Sequence, residues 1–241
     1  MLERFLDLLF PQTRCCLCKK NGLYGSRKPW CEKCMAELYA LQKSCNICDR
    51  CGKYLGSDSL LCQDCRRQEP AFTICRAVGP YKEANRIVIK ILKFLGKKSV
   101  SYTMGALMAE VVKNEKRYWP LDMIVPVPSS YRSMVQRGFS QTLLLSQPIG
   151  KILEIKNVDK NCLLRDQKNA PLQKELTREE RIRNLRGAFY VKYPDKVAGK
   201  NILLVDDIYT TGSTVKECSK ILLAAGAAKV AVITWSSGVG L

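Results

Sequence analysis

Two adjacent carboxylates stand between an apolar run and a hydroxyl-rich loop in residues 201–215. The run, residues 202–205, has the continuous apolar character of a parallel strand that is buried on both faces. The loop opens a helix predicted over residues 215–224, and amides and hydroxyls at a helix N-terminus bind anions. Carboxylates would repel a phosphate, so we expect them to accept hydrogen bonds from the hydroxyls of an attached sugar. These residues predict a ribose 5-phosphate site, hereafter the cradle, built by Asp206, Asp207, Thr210, Thr211, Gly212, Ser213 and Thr214.

Cysteines crowd the first part of the chain, where most of the 13 lie between Cys15 and Cys65. Four C-x2-C pairs have the spacing of zinc knuckles, with 12 residues between the first two pairs and 10 between the last two. Disulfides are the alternative, but nothing indicates secretion, and a reducing cytosol keeps thiols free. The simplest pairing is two successive ribbons, although a crossed pairing has the same sequence. We therefore predict two Zn²⁺ ions, each held by four thiolates from the set Cys15, Cys18, Cys31, Cys34, Cys48, Cys51, Cys62 and Cys65.

The register of the third knuckle is ambiguous, because three cysteines stand close together there. We choose Cys48 and Cys51, since the following Gly52 suits the tight turn of a knuckle. This choice leaves Cys45 and Cys16 without a zinc role. An iron–sulfur run would need a further cysteine at position 55, where a leucine stands. The remaining cysteines are expected to be small buried apolar residues, namely Cys75, Cys162 and Cys218.

Composition excludes several classes of site. The chain has no histidine, which removes Ser-His-Asp triads, His-Glu-x-x-His metalloprotease sites and histidine-containing deaminase sites. It also lacks the phosphate loop of nucleoside triphosphatases, and no Gly-x-Gly-x-x-Gly follows a predicted strand. No acceptor pocket or catalytic base stands out, so the catalytic residues of any reaction stay unassigned.

Basic residues dominate the charge balance, with 40 Lys and Arg against 22 Asp and Glu and a formal net charge of +18. Eight thiolates with two zinc ions together contribute −4, which leaves about +14. Such an excess favours a polyanionic partner, either a nucleic acid or a pyrophosphorylated small molecule. A solvated lysine-rich surface is the alternative interpretation. One dense stretch contains Lys90, Lys93, Lys97 and Lys98.

The chain divides into two parts after Cys65, beyond which cysteines are rare. Residues 66–70 read as a linker between an N-terminal module, 1–70, and a second domain, 71–241, long enough for a full α/β core. Residues 2–9 predict a short amphipathic helix rather than a signal peptide. Because no apolar run approaches the length that spans a bilayer, we expect a cytosolic protein without membrane insertion.

The second domain must place the cradle at one edge of a sheet. Apolar runs predict further strands at residues 74–78, 122–128 and 229–235, and apolar periodicity predicts helices at 84–95 and 101–112. The loop after the second of these strands, residues 129–139, supplies hydroxyls and two arginines. In a parallel sheet this loop lies on the same edge as Asp206, so that both can face one ligand.

Two resemblances follow from these motifs. Residues 201–215 closely resemble the motif with which type I phosphoribosyltransferases hold phosphoribosyl pyrophosphate (PRPP). The chain as a whole resembles the ComF family of competence-associated proteins, which join a double zinc ribbon to a phosphoribosyltransferase-like domain. Ser140 departs from that family, which usually has asparagine there. The matching segments are 8–11, 91–96, 125–128, Arg132, 137–141, Gln173, Leu176, Arg181, Asn184, 187–189 and 202–214.

The resemblance implies a type I phosphoribosyltransferase-like fold, in which helices flank a parallel sheet and a small four-cysteine zinc-ribbon module precedes it. It also implies that residues 165–189 form a mobile hood over the site and that Mg²⁺ arrives with PRPP on the ligand's own oxygens. Arginine suits bidentate contact with phosphate. The candidates for contact with pyrophosphate, on the sheet edge or the hood, are Ser129, Arg132, Arg137, Arg178 and Arg181.

Three functions are compatible with the sequence. We favour a competence-associated protein that handles incoming single-stranded DNA in the cytosol, with a cradle that binds PRPP or a related ligand. In that reading Lys90, Lys93, Lys97 and Lys98 are the candidates for DNA contact. The alternatives are an active phosphoribosyltransferase with an unknown acceptor, and a zinc-organised adaptor that docks a competence helicase.

Overall fold

The computed structural model describes residues 14–20, 30–43, 46–56, 59–95, 98–166 and 187–240. The predicted N-terminal helix and residues 167–186 of the predicted hood lie outside these ranges. Within them, no helix is both long and apolar enough to cross a membrane. The elements are α1 (Glu32–Lys43), β1 (Tyr54–Leu55), α2 (Gln63–Arg67), β2 (Cys75–Pro80), α3 (Glu83–Leu95), α4 (Lys98–Asn114), a 3-10 turn (Lys116–Tyr118), β3 (Met123–Pro126), α5 (Tyr131–Arg137), α6 (Gln141–Ile152), β4 (Leu163–Arg165), β5 (Phe189–Val191), α7 (Pro194–Val197), β6 (Asn201–Tyr209), α8 (Ser213–Ala224), β7 (Lys229–Ser237) and β8 (Val239–Gly240).

Four parallel strands in the order β2-β7-β6-β3 form the central sheet. Side chains alternate between the two faces of a strand. Ile202 and Leu204 of β6 are therefore buried in one apolar cluster, and Leu203 and Val205 are buried in the other. Helices cover both faces, which confirms the predicted parallel α/β sheet with flanking helices.

The strand that carries the aspartates is longer than the predicted run of residues 202–205. It pairs with β7 as far as Tyr209, whereas its pairing with β3 ends at Val205. Pro128, just beyond β3, has no N–H group and cannot extend that ladder. Beyond Val205, β6 therefore has no strand partner on its β3 side among the described residues. Asp206 and Asp207 lie in this part of the strand, which pairs with β7 alone.

The other predicted elements are confirmed with bounds that differ by a few residues. Helix α8 begins at Ser213 rather than at residue 215, because the hydroxyl residues of the loop already form its first turn. Helix α4 extends beyond the predicted 101–112 at both ends. A short antiparallel hairpin, β4 with β5, was not predicted, and its two strands flank residues 167–186.

Each cysteine group packs against a different face of the sheet. Cys15 and Cys34 belong to the apolar cluster that includes Trp235 of β7, whose ring lies 6.3 Å from that of Trp30. The second group shares the opposite cluster with Phe72 and with residues of α8. The predicted boundary at residues 66–70 stays a prediction, and both cysteine groups contribute to cores that include residues of the sheet.

Candidate phosphoribosyl site and metal centres

Two groups of four cysteines hold their sulfur atoms within 4.8 Å of one another, one group formed by Cys15, Cys18, Cys31 and Cys34 and the other by Cys48, Cys51, Cys62 and Cys65. Each group joins two neighbouring C-x2-C pairs, which confirms the successive pairing and excludes the crossed one. Four thiolates at this spacing fit the tetrahedral preference of Zn²⁺.

Backbone amides prepare these sulfurs for a metal. The N–H groups of Cys18 and Cys31 donate to the Cys15 sulfur at 3.5 and 3.4 Å. Burial opposes ionisation, yet these amide bonds bring the pKa of Cys15 down to about 7. In the second group, side-chain hydrogen bonds from Cys51 and Cys65 lower the pKa of Cys48. Both groups therefore hold a thiol that ionises readily, as zinc ligation requires.

The chosen register of the third knuckle is confirmed, because Cys48 and Cys51 both belong to the second group. Gly52 has φ +66°, and a Cβ atom there would lie 2.6 Å from the carbonyl oxygen of Cys75. Glycine thus permits both the turn and the close approach of the knuckle to β2. Cys45 lies outside the described residues. The burial predicted for the three cysteines of the second domain is confirmed, since Cys75, Cys162 and Cys218 are fully buried.

The cradle carboxylates lie on β6 just past the end of its pairing with β3. The Asp207 N–H donates to Oδ1 of Asp206 at 2.8 Å, and Lys93 Nζ of α3 lies 2.5 Å from Oδ2 of Asp207. Burial, followed by the charge of Asp207, raises the pKa of Asp206 to about 8, and Lys93 opposes this rise. Burial therefore favours the protonated form of Asp206, which adjoins the ion pair between Asp207 and Lys93.

The hydroxyl loop forms the entrance to α8. Gly212 adopts φ +75°, which favours glycine over other residues. The hydroxyls of Thr211 and Ser213 lie 2.8 Å apart, and the Ser213 N–H donates to Thr211 Oγ1 at 3.4 Å. The hydroxyls and the first amides of the helix thus meet at its N-terminal end, where an anion is stabilised.

A buried tyrosine supports this loop from below. A Cβ atom on Gly212 would lie 2.2 Å from the Tyr209 hydroxyl oxygen, so the glycine backbone rests on that side chain. The Tyr209 ring meets Phe72 edge-on with centroids 6.2 Å apart. Burial raises the pKa of the Tyr209 hydroxyl, and the neighbouring Cys51 thiol of the second cysteine group raises it further.

The loop after β3 contributes hydroxyls to the same edge of the sheet. Ser129 donates to Ser140 at 3.5 Å, and Ser140 caps α6 by accepting the Leu143 N–H. Arg132 is exposed and Arg137 is half-buried. The other two pyrophosphate candidates, Arg178 and Arg181, lie outside the described residues.

Of the four lysines predicted to contact DNA, two have side chains that the structure describes, and their role in DNA contact stays a prediction. Lys90 is exposed, whereas Lys93 turns toward the cradle and pairs with Asp207. Lys97 lies outside the described residues, and only the backbone of Lys98 is described. Sequence reasoning missed the place of Lys93, because helical periodicity puts it on a basic face without showing that the helix end reaches the sheet edge.

The comparisons with known proteins agree with this architecture. Residues 5–79 match the family model of the double zinc ribbon domain. Competence protein F of Haemophilus influenzae is 31% identical over 227 residues, which cover 92% of this chain and 96% of that protein. DNA utilization protein YhgH of Salmonella typhi is 33% identical over 83% of this chain and 87% of that protein.

A solved structure of glutamine PRPP amidotransferase from B. subtilis aligns at 16% identity and a TM-score of 0.38, over 56% of this chain and 26% of that one. The full-length similarity to competence protein F carries the assignment, together with the two cysteine groups and the parallel sheet. The chain belongs to the ComF family of competence-associated proteins.

Proposed function

We propose that this protein handles incoming single-stranded DNA in the cytoplasm and binds PRPP or a related phosphoribosyl ligand in the cradle. One observation carries the ligand assignment: two carboxylates in the last part of β6 are followed directly by a hydroxyl-rich loop that opens α8. Ribose hydroxyls would donate to Asp206 and Asp207, and the 5-phosphate would accept from the loop of Thr210, Thr211, Gly212, Ser213 and Thr214.

Lys93 adds a cation to this site. Its ammonium group holds Asp207 in the free protein. When sugar hydroxyls replace the contact between Lys93 and Asp207, the Lys93 ammonium group becomes available to the pyrophosphate of PRPP. A cation there would stabilise the negative charge of the pyrophosphate oxygens. PRPP would arrive with Mg²⁺ on its own oxygens, and the ion would supply neutralisation of the pyrophosphate charge.

The DNA part of the proposal is supported by the relatives and by charge. The similar proteins are named for competence and for DNA utilization. The net charge of +18 suits a polyanionic partner. Thiolate zinc ligands are compatible with a reducing compartment, which supports a cytoplasmic setting.

Calorimetric titration with PRPP in the presence of Mg²⁺ tests the ligand assignment. We expect wild-type protein to bind and the Asp206→Asn, Asp207→Asn double variant to show no binding heat, while its melting temperature does not fall below that of wild type. Asp195→Asn, an exposed aspartate on α7, serves as the matched control and should bind like wild type. Unchanged affinity in the double variant would refute the assignment.

A second candidate function is transfer of the phosphoribosyl group, and the carboxylate pair beside the hydroxyl loop supports it. In such a reaction the bond from C1 to the pyrophosphate oxygen breaks while an acceptor nucleophile forms a bond to C1. Such a transfer also needs a group that takes up the proton released by the acceptor, and the ionised form of the Asp206 carboxyl group is suited to that role. Release of pyrophosphate from PRPP, screened against purines, pyrimidines, amines and DNA, distinguishes this reaction from ligand binding alone.

A further inference from the structure

Two adjoining hollows form one elongated trough outside β3, the edge strand of the sheet. Their volumes are about 530 and 510 Å³, and both are lined by Gln147 of α6 and by Val158. Val158 pairs with Ile124 of β3, which fixes this wall of the trough to the sheet. We call it the α6 trough. It is separate from the cradle, since none of the cradle residues lines it.

The α6 trough has an excess of positive charge. Exposed lysines line both hollows, Lys160 and Lys196 in the first and Lys151 and Lys156 in the second. Asp159 also lines the first hollow, but its carboxylate already accepts the N–H groups of Asn161 and Cys162 at 2.7 and 3.1 Å. Glu154 is the acidic residue of the second hollow. The trough is therefore suited to a chain of phosphates rather than to a cation.

Exposed aromatic rings stand beside these lysines. Tyr193 lines the first hollow and is 39% exposed, and Tyr190 on the adjoining β5 is 47% exposed. The ammonium groups of Lys192 and Lys196 lie 5.1 and 4.9 Å from the centroid of the Tyr193 ring. Rings among cations are the combination with which proteins bind unpaired nucleotides, because bases stack on the rings while phosphates meet the charges.

We propose that the α6 trough binds single-stranded DNA, with a base on Tyr193 and the phosphate backbone along Lys196, Lys160 and Lys156. This inference rests on the proposed DNA function and gives it a location. A duplex keeps its base faces stacked on each other, so exposed tyrosines favour single strands. The side-chain amides of Gln147, Asn157 and Asn161 in the trough wall supply hydrogen bonds without selecting one sequence.

Fluorescence anisotropy with a labelled 20-nucleotide oligo-dT, measured from low to moderate salt, tests this location. Tyr193→Ala should weaken binding about 10-fold, and Tyr193→Phe, which keeps the ring, should bind like wild type. Lys160→Gln with Lys196→Gln should reduce the log–log salt slope by about 1.4, that is 0.7 for each lost phosphate contact. The matched controls are Tyr102→Ala, an exposed ring on α4, and Lys113→Gln with Lys116→Gln.

The possible results distinguish the location of the binding site from single-stranded DNA binding itself. If the trough variants bind oligo-dT as tightly as wild type, or if trough and control variants lose equal affinity, the α6 trough is not the binding site. Such results would leave single-stranded DNA binding itself intact. No binding of oligo-dT by wild-type protein would overturn both. Equal affinity of the Tyr193→Ala variant and wild type for duplex DNA, with a loss for oligo-dT, would support base stacking.

Discussion

Raising the pH from 6 to 8 should strengthen binding of ribose 5-phosphate to the cradle, because Asp206 must lose its proton to accept hydrogen bonds from two hydroxyls. Burial and the charge of Asp207 raise the pKa of Asp206 to about 8. With that value the ionised fraction is about 1% at pH 6 and about 50% at pH 8. If the ionised form binds about 100-fold more tightly than the neutral form, the association constant of wild type rises about 25-fold, or about 1.9 kcal/mol.

The assay compares two proteins, because the phosphate of the ligand also ionises near pH 6. That ionisation affects the wild type and the Asp206→Asn variant alike. Asparagine has nearly the size of a neutral aspartic acid, so the two proteins should bind within about 2-fold of each other at pH 6, where few carboxyls are charged. Their ratio should approach about 50-fold at pH 8. Calorimetric titration at pH 6, 7 and 8 gives this ratio directly.

A ratio that stays constant with pH would refute this reasoning. Such a result would mean either that Asp206 is ionised throughout the range or that it binds no hydroxyl. Asp207→Asn separates these cases, because removal of the neighbouring negative charge lowers the pKa of Asp206 and should move the rise in affinity to lower pH. No shift in that variant would show that the two carboxyls do not interact.

Further predictions concern the counter-charge, the loop, the metals and stability. Lys93→Met should raise the pKa of Asp206 further and move the rise in ribose 5-phosphate affinity above pH 8, as the same titrations will show. Thr211→Val should weaken PRPP binding by about 1.5–3 kcal/mol through loss of a hydrogen bond to phosphate, measured by calorimetry. Metal analysis should find two zinc ions per chain, one in Cys48→Ser and two in the control Cys218→Ser; iron, or no metal in a folded protein, would contradict the zinc assignment. Because folded Asp206 holds its proton to higher pH than the unfolded chain does, its contribution to the free energy of unfolding falls between about pH 4 and 8, so Asp206→Asn should raise the melting temperature more at pH 8 than at pH 5.

Strands, helices and cysteine knuckles with a clear local pattern were predictable from the sequence. The apolar run of residues 202–205 and the hydroxyl loop after it identified β6, α8 and the cradle between them, because strand and helix periodicities are local properties. The spacing of the cysteines identified both groups, and Gly52 identified the register of the third knuckle. The sequence could not choose between successive and crossed pairing, since that choice depends on contacts between distant residues.

Long-range contacts account for what the sequence did not predict. Lys93 lies on a helix whose pattern shows an apolar and a basic face, and only the packing of α3 brings its ammonium group to Asp207. The α6 trough joins Gln147, Val158 and Tyr193, which belong to separate segments of the chain. The raised pKa of Asp206 likewise follows from its burial in the assembled sheet. The sequence showed a carboxylate pair there without showing its protonation.

Tyr209 connects the proposed sugar-phosphate site to the second cysteine group. Its hydroxyl lies under Gly212 of the loop, and the adjoining Cys51 thiol is a ligand of the second metal group. Loss of the second zinc ion would loosen that knuckle. The support that Tyr209 gives to the phosphate loop would then loosen as well. We therefore expect PRPP affinity to fall when the second ion is withdrawn, even though no cysteine contacts the ligand.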